Sequence, residues 1–174
     1  MFYSLTLKKN LRLPPDIEGL VEISKFSYIG ISDDSNFPHV TPVIYVFDGK
    51  SIFFITSVAS KKLKILKRNP KIAFLIDERN PENLFENRAC LFLGKVKIYG
   101  WLSSLLSLKK MLKVKELFKK KYPKYTKKYE REGYKLPRAW RATPLVSRVV
   151  IEVIFEKVTY WRRAKAVRLP FARG

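Results

Sequence analysis

Cysteine and histidine are nearly missing from this chain of 174 residues, with Cys90 and His39 the single copies. One thiol excludes an intramolecular disulfide or a cysteine-rich metal centre, and its strand-like setting C-L-F-L reads as a buried, inert position. One imidazole excludes a metal site or catalytic dyad that needs two histidines. No apolar run approaches the roughly 18 to 20 residues that cross a bilayer, and the N-terminal MFYSLTLKKNLRLPP has no apolar signal core. The expected location is therefore cytoplasmic, with no membrane partner. Also absent are the G-x-G-x-x-G, Walker A, H-E-x-x-H and G-x-S-x-G patterns, which removes the common nucleotide-binding and hydrolase signatures. Carboxylates are scarce and scattered: Asp33 and Asp34 fall in a turn, Glu82 and Glu86 in a loop. Paired-carboxylate hydrolysis has no support, and no metal site is expected.

Positive charge is what the chain has in excess. Thirty-six Lys and Arg against 15 Asp and Glu give +21, a balance that attracts phosphates, nucleic acid or acidic surfaces. Residues 109–135 hold twelve basic and three acidic side chains, and residues 162–174 hold five basic and none acidic. With 47% hydrophobic residues, the length suits one domain with a sizeable core. We expect a single domain over 1–174, its core at about 15–161 and a basic tail at 162–174.

Pattern then gives the elements. Pro14-Pro15-Asp16 can open a short helix to about Lys25, with Ile17, Leu20, Val21 and Ile23 on its apolar side. Strands are predicted over 26–32, 39–47, 51–56, 71–77, 88–99 and 148–161, with Asp48-Gly49 a tight hairpin. Pro42 removes a ladder donor inside the second of these, so it marks an edge, a bulge or a ligand-facing break. The continuous apolar run at 71–77 predicts burial on both faces, and Gly94 predicts a bulge or a close approach. Over 102–134, Leu105, Leu108, Leu112, Lys115 and Phe118 fall near helical spacing, and Pro123 splits the lysine-rich segment into two helices. The fold class is mainly β: six strands in an antiparallel, closed or nearly closed barrel, decorated by helices, with the lysine-rich insertion before the last strand.

The stretch most suggestive of chemistry is T-S-V-A-S-K-K-L-K-I-L-K-R-N-P over residues 56–70. A strand runs into small hydroxyl residues, two lysines and a short amphipathic helix, ended by Asn69-Pro70. Hydroxyls and N–H groups at a helix start, with cations beside them, suit an anion; Ser60 as an ordinary N-cap beside solvated lysines is the plainer alternative. A chain so poor in nucleophiles and bases would need a cofactor to carry redox or group-transfer chemistry, and a phosphate-bearing one suits Ser60-Lys61-Lys62.

The order of these words resembles the pyridoxamine 5′-phosphate oxidase-like family of FMN-binding split barrels. It runs P-H-V-T-P-V-I-Y-V from Pro38, D-G, F-F-I-T, S-K-K with N-P nine residues after Ser60, a glycine-bearing strand at 91–96, K-Y-P at 121–123 and E-K-V-T-Y-W at 156–161. The resemblance implies a six-stranded split-barrel homodimer with one FMN per subunit in clefts along its interface, acting on a small-molecule substrate. It implies that Thr56, Ser57, Ser60, Lys61 and Lys62 hold the cofactor phosphate, and that His39, Thr41, Pro42 and Val43 lie along the flavin ring. Trp161 and Arg168 match substrate-side positions. Lys61 stands where Arg is common, Ala89 where the oxidase has Gln, and Pro170 where its W…R-L-H signature has His. An oxidoreductase with another substrate is implied, rather than the oxidase itself. Relatives also use the deazaflavin F420 or haem. A function outside that family is a nucleic-acid or acidic-partner module using residues 109–135 and 162–173.

Overall fold

The computed structural model describes residues 5–6, 13–100, 105–126, 148–162 and 165–166. Strand β1 (Leu5–Thr6) precedes helix α1 (Pro15–Ile23), followed by strands β2 (Phe26–Ser32), β3 (Pro38–Ile44), β4 (Val46–Phe47) and β5 (Ile52–Ser57). Helix α2 (Lys61–Arg68), strands β6 (Lys71–Glu78) and β7 (Arg88–Tyr99), helix α3 (Leu105–Lys121) and strands β8 (Arg148–Arg162) and β9 (Lys165–Ala166) complete the order. A 3-10 turn, Leu84–Glu86, sits in the β6–β7 loop. All pairings are antiparallel and form one sheet along the path β3-β2-β6-β7-β8-β5-β4, while β1 and β9 add short pairings to β8.

Seven strands stand on that path where six were expected, because residues 39–47 break at Tyr45. β3 pairs with β2 and β4 pairs with β5, so one segment supplies both ends of the sheet. The sheet thus curls back on itself and stays open between β3 and the latter half of β5, beyond the Val46–Phe53 pairing. This is a split barrel decorated by helices. Pro42 lies opposite Tyr28 on the terminal strand β3, an edge position where a missing N–H costs nothing.

Local chemistry explains the corners. In the β4–β5 hairpin the Asp48 carboxylate accepts the N–H groups of Lys50 and Ser51 at 3.1 and 2.9 Å, and Gly49 takes φ +88°. At Gly94 the β7–β8 register shifts, and a Cβ there would lie 2.1 Å from the Ile154 carbonyl oxygen. The predicted bulge and close approach are both present. Asn69 ends α2, its amide donating to the Ser32 carbonyl and hydroxyl at 3.3 and 3.2 Å.

The core fills the barrel. Ile29, Ile31, Phe54, Ile72, Phe74, Ile76, Phe92, Val158 and Tyr160 are buried in one cluster with Ile17, Leu20 and Val21 of α1 and Leu63, Ile65 and Leu66 of α2. Cys90 belongs to it, and burial pushes its thiol far up, as an inert position requires. Ile23 departs from the expected apolar side of α1 and is half exposed. The run at 71–77 is covered on one face alone: Ile72, Phe74 and Ile76 are buried, whereas Ala73 and Leu75 are partly open on the outer face.

Helix α3 packs outside the barrel in a second cluster of Val46, Phe53, Met111, Val114, Phe118, Tyr122 and Val150. Of the predicted stripe, Phe118 is buried and Leu108 half-buried, but Leu112 is 51% exposed and Lys115 is exposed, while the buried face runs through 107, 111, 114 and 118. The helix ends at Lys121 and a helical turn restarts at Pro123, the split expected from that proline.

Candidate functional site at the barrel split

The split is lined by two chain segments. From β5, Thr56 is 5% exposed and its hydroxyl lies 3.0 Å from that of Ser60. Ser60 caps α2, accepting the Leu63 N–H at 3.3 Å, and Ser57 accepts the Ala59 N–H at 3.2 Å. The plain N-cap reading of Ser60 is therefore correct, and it does not compete with an anion site. The cap engages Leu63, leaving the N–H groups of Lys61 and Lys62 in the helix's first turn. That turn holds no acidic residue. An anion at this point meets two hydroxyls, the positive end of a helix and two ammonium groups. Asp33 feels this charge: hydrogen bonds from the Ser35 side chain and the Phe37 N–H hold it below the usual carboxylate range, with Lys61 contributing.

From the other side comes β3, whose second edge has no strand beside it. His39, Thr41 and Val43 are half-buried and alternate with exposed Val40 and Pro42. In an antiparallel edge strand every second residue turns its N–H and C=O away from its partner, so β3 offers backbone donors and acceptors to whatever enters the split. The two predicted groups thus lie on the two strands that flank the break in the sheet: Thr56–Ser57–Ser60–Lys61–Lys62 at the end of β5 and the start of α2, and His39–Thr41–Pro42–Val43 on the edge strand β3.

Trp161 does not join them within one chain. Ser57 pairs with Arg148 at the start of β8, and Trp161 pairs with Ala89 thirteen residues further along that strand. At about 3.3 Å per residue, roughly 40 Å of strand separates the two. Arg168 and most of the basic tail lie outside the described residues.

Three side chains that the sequence reading passed over hold the opening in shape. The Tyr122 hydroxyl lies 2.7 Å from the Tyr45 carbonyl oxygen and 2.8 Å from that of Lys25, and it accepts the Tyr45 N–H at 3.3 Å. One hydroxyl therefore serves the backbone groups freed where β3 becomes β4. Burial pushes the Tyr122 phenol up to about 12. Its neighbour Lys121 donates to the Val21 carbonyl at 3.1 Å and sits 3.9 Å above the Tyr45 ring. Burial pulls that ammonium down to about 8, with Glu22 pulling the other way. K-Y-P carried a hint of this, since a tyrosine just before a helix-breaking proline is fixed in direction.

The third is Glu152, a lone acid in the apolar run R-V-V-I-E-V-I-F. It accepts from the Tyr99 hydroxyl at 2.5 Å and from Lys110 at 3.1 Å, while Lys113 reaches Asp48 at 2.6 Å. Burial alone would raise the Glu152 carboxyl, but the hydrogen bonds from Tyr99, Lys110 and Ser51 outweigh it and hold the group below its ordinary value. These pairs fasten the lysine-rich helix to the barrel. Among the described residues no cluster of three or more His, Cys, Asp or Glu could hold a metal ion, and no helix is long and apolar enough to cross a membrane.

Solved structures similar to this fold span most of the chain. A conserved hypothetical protein from Mycobacterium tuberculosis matches at 16% identity and TM-score 0.66, covering 97% of this chain and 98% of its own. An FAD-binding protein from Mesorhizobium loti matches at 14% identity and TM-score 0.60, covering 86% and 95%. The haem storage protein HutZ from Vibrio cholerae matches at 15% identity and TM-score 0.57, covering 84% and 94%. At these identities the likeness is one of fold. No curated protein sequence matches the chain. The family model described as pyridoxamine 5′-phosphate oxidase matches residues 13–162, from the start of α1 to the end of β8, so the chain belongs to the pyridoxamine 5′-phosphate oxidase family.

Proposed function

We propose that this protein is an FMN-dependent oxidoreductase, working as a homodimer on a small-molecule substrate other than pyridoxamine 5′-phosphate. The observation that carries the reading is the split itself, with a hydroxyl-and-lysine anion site on one wall and an unpaired strand edge on the other. Thr56, Ser57, Ser60, Lys61 and Lys62 would hold the FMN phosphate. The His39–Val43 stretch of β3, with His39, Thr41, Pro42 and Val43, would lie along the ring, and the outward-facing backbone groups of that edge would meet its polar rim. FMN, when bound, supplies hydride or electron transfer at that ring. The protein's own residues bind, orient and shield it. Lys61 in place of arginine keeps the charge and gives up a bidentate fork. Pro170 in place of histidine argues against the oxidase's own substrate.

Two observations support the dimer. The outer face of β2, β3, β6, β7 and β8 carries Phe26 (66% exposed), Tyr28, Val40 (65% exposed), Pro42, Leu75, Leu91 and Trp161. A row of this kind suits a protein contact, and a second subunit covering it would account for the apolar residues on both faces of 71–77. The length of β8 between Arg148 and Trp161 also means that Trp161 could approach a cofactor in the split only from a second subunit.

Haem is the competing cofactor, since HutZ shares the fold, and it would require His39 as the one histidine ligand available. The deazaflavin F420 would use the same phosphate grip. The exposed lysines of α3 add nonspecific affinity for nucleic acid that falls steeply with salt. The test is replacement of Lys61 and Lys62 together by Ala. FMN affinity should weaken by a few kcal/mol, at about 1.5 to 3 for each charge-assisted bond, with folding nearly unchanged. Unaltered affinity places the phosphate elsewhere.

A further inference from the structure

The outer sheet face is not flat. Its rows are bulky at one end, where Phe26, Tyr28, Leu75, Leu91 and Trp161 stand, and drop at the other to Gly30 and Ala73, flanked by Val40 and Leu93. Gly30 faces Ala73 across β2 and β6, and together with Gly94 they floor an open hollow of about 510 Å³. Its rim is cationic: Lys71, Lys95 and Lys157 surround it, and Glu156 is the single acid, 3.8 Å from Lys95.

At the opposite end of the same strands the β6–β7 loop has the reverse character. Phe85 is 75% exposed, the most open large hydrophobic side chain among the described residues. The loop that carries it is braced from within. Asn80 Oδ1 accepts the N–H groups of Glu82 and Asn83, Asn83 Oδ1 accepts that of Phe85, and Glu86 takes amide protons from Asn80 and Asn83 at 2.7 and 3.0 Å. Of its four acids, Asp77 is paired with Arg79 and Glu78 with Arg88, which leaves Glu82 and Glu86 as unbalanced negative charge on a chain of net charge +21. A preformed loop with two unbalanced carboxylates thus presents an aromatic ring, and a cationic hollow floored by Gly30, Ala73 and Gly94, with Leu93 at its side, lies at the far end of the same face.

We infer that the β6–β7 loop of one subunit docks on the hollow of a second copy of this chain, with Phe85 over Gly30 and Ala73 and the loop's carboxylates among Lys71, Lys95 and Lys157. A two-fold axis parallel to the outer face and perpendicular to the strands, between the Leu75–Leu91 row and the hollow, turns the two faces toward each other and carries each loop to the other subunit's hollow, because the two features sit at opposite ends of the same strands. Apolar shape and charge are both complementary, and the contact occurs twice per dimer. The inference rests on the homodimer reading and supplies its contact.

The experiment compares dissociation constants from sedimentation for the full chain, Phe85→Ala and Ala73→Trp, with circular dichroism confirming that each is folded. Each variant alone should weaken the dimer at least about 30-fold, the effect of losing an aromatic anchor at the centre of an interface. Mixing the two should recover association, because the mixed dimer keeps one intact contact, the Phe85 of the Ala73→Trp chain on the unblocked hollow of the other. A full chain that is monomeric at all concentrations overturns the dimer reading and this inference together. A full-chain dimer that Phe85→Ala leaves unweakened, or a mixture no tighter than its parents, overturns the docking and leaves the dimer standing.

Discussion

Tyr122→Phe isolates the hydrogen bonds that hold the strand break open. The phenylalanine keeps the stacking on Phe118, at 5.6 Å between ring centroids, and removes one oxygen. That oxygen has a single proton, so it donates to one of two carbonyls, Tyr45 at 2.7 Å or Lys25 at 2.8 Å, while accepting the Tyr45 N–H. Tyr45 is fully buried, and its N–H would be left without an acceptor. A buried unsatisfied donor costs about 1–3 kcal/mol and the lost donated bond about 1 more, so the variant should lose about 2–4 kcal/mol. For a domain of this size that lowers Tm by about 5–15 °C. Urea unfolding gives the global figure. Amide hydrogen exchange gives the local one, with Tyr45 and Val46 exchanging faster than the rest of the sheet. A loss below about 0.5 kcal/mol, with exchange at Tyr45 and Val46 unchanged, would refute the assignment of Tyr122 as the brace of the break.

Gly94→Ala should cost about 3 kcal/mol or more in urea unfolding, because its Cβ would meet the Ile154 carbonyl oxygen and the Phe155 Cα, backbone atoms that cannot swing aside; a near-neutral variant would mean β7 and β8 are further apart than described. Lys121→Met tests the half-buried ammonium. Its depressed pKa of about 8 means the unfolded chain binds the extra proton between about pH 8 and 10.4, so this site makes stability rise with pH in that window. The methionine variant should lack that rise, and parallel curves would contradict the burial argument. Glu152→Gln leaves Lys110 without its counter-charge and should cost about 2 kcal/mol at neutral pH. Because the folded-state carboxyl lies below its ordinary value, the difference from the parent should shrink as pH falls below about 4.3, and a difference independent of pH would contradict it.

Much of this was legible in residue order. Alternation gave the strands, Asp48-Gly49 the hairpin, Gly94 the bulge and Asn69-Pro70 the end of α2, because each rests on backbone conformation that one or two residues decide. The hydroxyl-and-lysine cluster was readable for the same reason: strand, turn and helix start are contiguous in sequence. What escaped was decided at long range. The break at Tyr45 depends on Tyr122, seventy-seven residues away. The phase of α3 was placed correctly at Phe118 but one position off at Leu112 and Lys115, next to the buried Met111 and Val114; the pull of Glu152 on Lys110 is a charge contact that a pattern of apolar residues does not register. The run at 71–77 signalled two covered faces, but only the face of Ile72, Phe74 and Ile76 is covered, because an apolar pattern does not say what packs on its second side.

The central claim is the phosphate grip in the split, and FMN titration of the purified protein tests it most directly. Flavin absorbance in the protein as isolated, or saturable quenching of FMN fluorescence that riboflavin, which has no phosphate, reproduces far more weakly and that the Lys61→Ala, Lys62→Ala pair removes, is the result the account predicts. A colourless protein that takes up no FMN, or a haem spectrum lost on His39→Ala, would contradict it.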